Sequence, residues 1–187
     1  MQLEIRKLTV EEYHRMAEAG ILDPDERVEL IQGQIVKMAA KGTPHESAIM
    51  RTARVLGNGL GEQVWVRTQS SIRLDDYSEP EPDIAVVRVD ALDYADHHPT
   101  PSEIYLIVEV SDTTLKRDCE VKDKIYAQSG ITEYWVLDVK NRQLRVFREP
   151  SDRGYQSQII LGEDAIISPL EFPSLNVAIA SMLPPVI

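Results

Sequence analysis

EIYLIVEVSDTTLKRDCEVKDKIYAQSG, Glu103–Gly130, begins as a strand that a sheet can bury on both faces. Ile104, Tyr105, Leu106, Ile107 and Val108 form an unbroken apolar run, which suits the centre of a sheet better than its edge. Glu109 interrupts the run at its far end. Ser111, Asp112, Thr113 and Thr114 then supply turn chemistry, and a helix is expected to follow and to close on Gly130. A lone carboxylate ending an apolar strand is costly to bury unless a positive group meets it. A divalent cation is the partner expected here, with the rest of the chain arranged to complete its site.

Composition sets the frame. At 187 residues, one domain (1–187) with one substantial core is the expectation. Hydrophobic residues are 43% and charged residues 27%, the balance of an ordinary soluble globular chain. No apolar run is long enough for a bilayer, and the charged start MQLEIRKLTVEEYH does not read as a signal peptide. The single cysteine, Cys119, excludes an internal disulfide and a cysteine zinc cluster. It fits a reducing cytoplasm and reads as a small buried apolar residue. The formal net charge of −11 argues against a surface that grips nucleic acid throughout, because phosphate neutralisation needs Lys and Arg. It leaves room for a local basic groove around an acidic, metal-loaded centre.

Around the opening stretch, Thr9 and Glu12 form a capping box for a helix over 10–19 that Gly20 ends. Asp23-Pro24-Asp25 is a turn. Residues 27–31 and 34–38 read as a hairpin about Gln32-Gly33. Alternation sends Glu29 to the opposite face from Val28 and Leu30, which is first a solvent-facing position. Pro44 suits the first turn of a second helix over 45–60, with His45 at its start as a cap or surface group. Residues 63–69 and 71–74 read as a strand pair or one bent strand, 75–82 as a loop, and 82–87 as a strand entered at Asp83. His97-His98 lie in a loop over 90–101; both are expected to be exposed, and neighbours pointing apart do not share a metal. After Gly130 come a strand over 133–139 and a β-meander over 143–148 and 155–161. Short tail elements cover 170–173 and 175–180. Trp65 and Trp135 read as core or interface residues. No repeat or linker divides the chain.

Asp83 begins one apolar strand and Glu109 ends another. Asp118, Lys122 and Tyr126 recur at four-residue spacing, so one helix face carries all three. If the strands are neighbours and the helix packs back over their ends, Asp83, Glu109 and Lys122 converge. Two carboxylates with the Val110 carbonyl then make a hard oxygen site for Mg²⁺ or Mn²⁺, beside a lysine able to serve an attacking water. The same spacing also describes an ordinary exposed Asp118/Lys122 pair, worth a few tenths of a kcal/mol, roughly 0.3–0.5. Val121 and Ile125 are expected against the sheet. Tyr126 borders the cleft or packs in the core.

Pro82-Asp83, with Glu109-Val110-Ser111 closing a hydrophobic strand, resembles the PD-(D/E)XK nuclease superfamily. Nearly the whole chain is similar to one branch, a bacterial family of restriction endonucleases of unassigned biological role. The matching segments are LTVEEYH (8–14), VELIQGQIVKM (28–38), Pro44-His45, EPDIAVV (81–87), VEVS (108–111), Asp118 to Tyr126 with Lys122 between, and GITEYWVLD (130–138). The resemblance implies an α/β (α+β) restriction-endonuclease-like fold: a mixed central sheet flanked by helices, with an N-terminal helix-hairpin and a C-terminal β-meander. It implies metal-dependent hydrolysis of phosphodiester bonds, in DNA; a homodimer is expected because cutting both strands of a duplex needs two sites. Asp83, Glu109 and the Val110 carbonyl would hold Mg²⁺ or Mn²⁺, and Lys122 would serve the water. The superfamily's lysine stands two residues after the glutamate, where this chain has Ser111, so in this branch its role passes to the following helix. Lys124 competes with Lys122 from about 200° round that helix. By the same resemblance Glu29 adds an acid to the metal, and His45 and Gln69 line the cleft. Two alternatives stay open: a member that binds nucleic acid or protein without cleaving, and a hydrolase of a small phosphate ester.

Overall fold

A capping box, a two-residue turn and an apolar central strand organise the first two-thirds of the chain. The computed structural model describes residues 5–23, 25–112 and 114–186, so the Pro24 turn residue and Thr113 lie outside the described residues. Helix α1 (Val10–Glu18) starts as expected: the Thr9 hydroxyl accepts from Glu12 N, and the Glu12 carboxylate accepts from Thr9 N. Strands β1 (Val28–Ile31) and β2 (Gln34–Lys37) form an antiparallel hairpin. Its turn residues Gln32 and Gly33 both take positive φ, 49° and 77°, the hand that matches strand twist. Gly33 is needed for a second reason. A Cβ there would overlap the Lys7 side chain and the Leu8 backbone. Gly33→Ala is therefore expected to destabilise the fold by about 1–3 kcal/mol, measured by urea denaturation; an unchanged midpoint would show that the N-terminal segment yields freely.

Helix α2 (Thr43–Leu60) carries Pro44 in its first turn and buries Ala48, Ile49, Thr52, Leu56 and Leu60. Strands β3 (Val64–Thr68), β4 (Ile84–Arg88), β5 (Ile104–Ser111), β6 (Glu133–Asp138), β7 (Gln143–Ser151) and β8 (Gly154–Gly162) form one sheet in that spatial order. Only the β5–β6 pair is parallel. A parallel neighbour needs a crossover, and residues 115–128 supply it: α3 (Leu115–Arg117), a π-helical turn at Asp118–Lys122, and α4 (Asp123–Gln128). The tail adds β9 (Ile166–Ile167), paired with β10 (Val177–Ala178), and a last short helix, α5 (Ile179–Met182).

Both faces of the sheet are covered, as the run in β5 demanded. Leu106, Val108 and Val110 join the core with Leu56, Trp135 and Met182 on the α2 side. Ile107 packs with Tyr134, Val136, Ile125 and Tyr126 on the crossover side. Period-2 alternation puts Glu109 on that second face. The mixed sheet flanked by helices, the N-terminal helix-hairpin and the C-terminal meander match the expected α/β architecture. No helix among the described residues is long and apolar enough to cross a membrane.

Several local expectations are corrected. Residues 71–74 are not a strand. Gln69 turns the chain at φ 48°, after which Ile72 N bonds Pro80 O and Leu74 N bonds Ser78 O. The tail elements fall at 166–167 and 177–182 rather than 170–173 and 175–180. Trp135 is fully buried, as expected, while Trp65 on edge strand β3 is exposed and so lies outside the core. Cys119 is only half-buried. Val121 points to solvent because the π-helical turn shifts the helix face beneath it. His98 is half-buried, while His97 is exposed.

Candidate active site

The acidic centre is assembled where β4 begins and β5 ends. The strands are antiparallel with Ile84 opposite Val108, so the residue before β4 and the residue after Val108 face one another. Val110 N donates to Asp83 Oδ2 at 2.9 Å, and Asp83 N approaches Glu109 Oε2 at 3.4 Å. Both carboxylates are buried, as is Glu29. Glu29 is thus an interior acid rather than a solvent-facing one: alternation on β1 separates it from Leu30, but the loop before β4 covers its face. Glu81 N donates to Glu29 Oε2 at 3.3 Å.

The crossover brings the cation. Lys122 Nζ lies 2.8 Å from Glu109 Oε1 and 3.6 Å from Glu29 Oε2. Lys124 is exposed, so Lys122 is the lysine that reaches the acids. Tyr126 OH donates to the same Glu109 oxygen at 2.9 Å. This puts Tyr126 in the core, one hydrogen bond behind the cleft. Asp118 is buried, accepts from the Thr114 hydroxyl, and gives its backbone carbonyl to Tyr134 OH. An exposed Asp118/Lys122 surface pair is therefore ruled out.

Helix α2 contributes from the opposite wall. His45 Nε2 sits 3.1 Å from Asp83 Oδ2, so its position is that of an Asp83 partner rather than a surface cap. Lys41, from the loop before α2, places Nζ 3.7 Å from Asp83 Oδ1 and makes no hydrogen bond among the described residues. Gln69 does not line the cleft. It is exposed, and only its backbone N–H takes part, bonding Asp83 O at 3.0 Å. Lys41 and Glu81 are members that the sequence reading missed. Glu81, an acid two residues before Asp83 between two prolines, carried a readable signal; Lys41 in Lys41-Gly42-Thr43 did not.

Environment splits the two central carboxylates. Burial pushes Glu109 up to about 8; Lys122 opposes this, and Asp83 and Asp118 add to it. Burial acts the same way on Asp83, but His45, the Val110 N–H and Lys41 outweigh it and hold Asp83 below the usual carboxylate range. Burial lowers the Lys122 ammonium, and the facing Glu109 and Glu29 carboxylates more than restore it, so it stays charged. Lys41 is depressed, chiefly by burial. Oppositely displaced neighbours of this kind divide acid and base roles at catalytic centres.

These groups line an open cleft of about 360 Å³, with Glu29, Lys41, His45, Asp83, Glu109 and Lys122 on its walls. The donor set fits a hard divalent ion: carboxylates from three segments, with Val110 beside them on the cleft wall. On Glu109, Oε1 accepts from both Lys122 and Tyr126, while Oε2 faces the start of β4.

A family model described as "Uma2: Putative restriction endonuclease" matches residues 10–180. Among solved structures, the chain is similar to one described as a putative nuclease belonging to DUF820 from Anabaena variabilis ATCC 29413. The TM-score is 0.72 at 16% identity, covering 94% of this chain and 97% of the other. At that identity the likeness speaks for the fold. No curated protein matches.

Proposed function

Since the chain belongs to the Uma2 restriction-endonuclease family, we propose that it is a nuclease that hydrolyses phosphodiester bonds in DNA with Mg²⁺ or Mn²⁺. The observation that carries this reading is the meeting of Asp83, Glu109 and Lys122 in one open cleft, with Lys122 Nζ 2.8 Å from Glu109. Asp83, Glu109, Glu29 and the Val110 carbonyl would hold the ion. When bound, it supplies Lewis-acid stabilisation of charge developing on the phosphate and activates water at neutral pH. Lys122, kept charged by two carboxylates, orients the attacking water and donates to the phosphate. Glu109 and Tyr126 fix where that ammonium stands. Lys41 offers a second ammonium on the opposite wall for a phosphate oxygen, and His45 steadies Asp83. A groove open to solvent suits a polymer better than a small ester. Cutting both strands of a duplex calls for two such sites, so the proposal extends to a homodimer acting in the cytoplasm.

Purified protein is incubated with Mg²⁺ or Mn²⁺ and plasmid, single-stranded DNA, RNA or a small phosphate ester, beside Asp83→Ala and Glu109→Ala. The parent is expected to nick or linearise plasmid, with each variant slower by roughly 10²–10⁴-fold. Variants that cut as fast as the parent would overturn the assignment. So would a parent that binds DNA without cutting it, or one that cuts only the small ester. Sedimentation of the parent reads the dimer.

A further inference from the structure

A second cluster lies away from the cleft and shares no lining residue with it. His14 projects from α1, Glu79 from the loop before β4, and His98 from the connection before β5. His14 Nε2 stands 2.7 Å from Glu79 Oε1, and His98 Nε2 stands 4.0 Å from the same oxygen. One ligand atom from each of the three residues lies within 4.8 Å of the others. Ligands on a tetrahedral centre with bonds of about 2 Å are ~3.3 Å apart. The two separations straddle that value, so small side-chain shifts would bring all three into range.

A separate observation points the same way. Glu79 is 4% exposed, yet its Oε2 is buried and has no hydrogen-bond partner among the described residues. A buried carboxylate oxygen without a donor is costly. The contact with His14 accounts for only one of the two oxygens. A cavity of about 680 Å³ opens on the cluster, with room for a water to complete a coordination sphere. His97 takes no part. It turns to Asp96 at 2.7 Å and Glu103 at 3.4 Å.

We propose that His14, Glu79 and His98 form a binding site for a transition-metal ion of the zinc class, distinct from the Asp83/Glu109 centre. Two imidazoles and one carboxylate suit Zn²⁺ or Co²⁺, whereas Mg²⁺ demands oxygen donors. The two centres therefore sort metals in opposite senses. The ion would tie three stretches of chain together at one point. One of them is the loop that pairs Glu79 N with Leu30 O at 2.8 Å and runs on to Asp83.

The full-length protein, stripped with EDTA and held in excess Mg²⁺, is titrated with Co²⁺ by visible absorption and then with Zn²⁺. The parent is expected to show one Co²⁺ equivalent with the intense bands of low coordination, displaced stoichiometrically by Zn²⁺, and a Zn²⁺-dependent rise in Tm. His14→Gln/His98→Gln is expected to lose the bands and the rise, with affinity down at least tenfold. Because the two side chains are 46% and 40% exposed, its metal-free Tm should stay near the parent's. Single His98→Gln carries the test if the double variant does not fold. Asp83→Asn/Glu109→Gln is expected to keep the signal. A parent with no Co²⁺ bands overturns the proposal, as do bands that survive loss of both histidines or vanish with the Asp83/Glu109 pair.

Discussion

Lys122→Met is expected to abolish cleavage and, in EDTA, to lower the stability of the fold by about 3 kcal/mol. The two effects share one cause. Lys122 is 6% exposed and its ammonium faces Glu109 and Glu29. Removing it leaves buried carboxylates without that cation, and an uncompensated buried charge is the costly half of a broken ion pair. Glu109 can limit the loss by taking a proton, since burial already pushes it up to about 8. The sign of the pH dependence follows. A carboxyl raised in the folded state binds more protons folded than unfolded, so its contribution falls as pH rises. The variant's stability should therefore be greatest near Glu109's ordinary value of 4.5 and fall as pH rises, and because Lys122 no longer holds the carboxyl down, the fall should continue above the parent's value of about 8. Adding Glu109→Gln should remove that slope and recover part of the stability, with the coupling read from a double-mutant cycle in urea at several pH values. A flat profile in the single variant would mean that Glu109 is not the group answering for the lost lysine.

How far this site was legible follows from which of its contacts are local. Asp83 and Glu109 stood out because each is the lone acid at the end of an apolar strand. The four-residue repeat of Asp118, Lys122 and Tyr126 also survives in the structure, where all three are buried. The same periodic reading failed one residue away. The π-helical turn at Asp118–Lys122 leaves Val121 exposed, and a 3.6-residue wheel has no means of announcing an inserted residue. Glu29 was placed correctly relative to Val28 and Leu30, but alternation says only which faces differ, not which one another segment will cover. Lys41 carries no period or motif; its position depends on how α2 packs beside β4. His14 and His98 are farther apart still. No local pattern pairs them, and only the docking of α1 brings their rings to 6.4 Å. The sheet, by contrast, was readable because its rules are local: apolar runs bury, alternating runs pair, and a parallel step after β5 requires a crossover.

Arg148→Leu is expected to cost about 3–5 kcal/mol while leaving cleavage per folded molecule unchanged. Glu133, at the start of β6, is fully buried yet saturated with donors. Arg148 Nε and Nη2 reach its Oε1 at 2.9 and 2.6 Å, Trp135 Nε1 reaches the same oxygen at 2.9 Å, and Leu170 N reaches Oε2 at 2.6 Å. Arg148 Nη2 also donates to Ser168 O at 2.9 Å. One carboxylate and one guanidinium thus join β6, β7 and the tail segment at 168–170. Removing the guanidinium strands a buried charge and frees the tail together. Glu133→Gln keeps an acceptor for Trp135 and Arg148 and removes the charge, so it should cost less, about 1–2 kcal/mol. A loss of that size in Glu133→Gln distinguishes an electrostatic role from simple packing, which would make the near-isosteric glutamine harmless. Chemical denaturation gives the ordering, and limited proteolysis of the tail gives the tether. A harmless Glu133→Gln, or a tail no more readily cut in Arg148→Leu, would place the stabilisation in the apolar contacts of Trp135 instead.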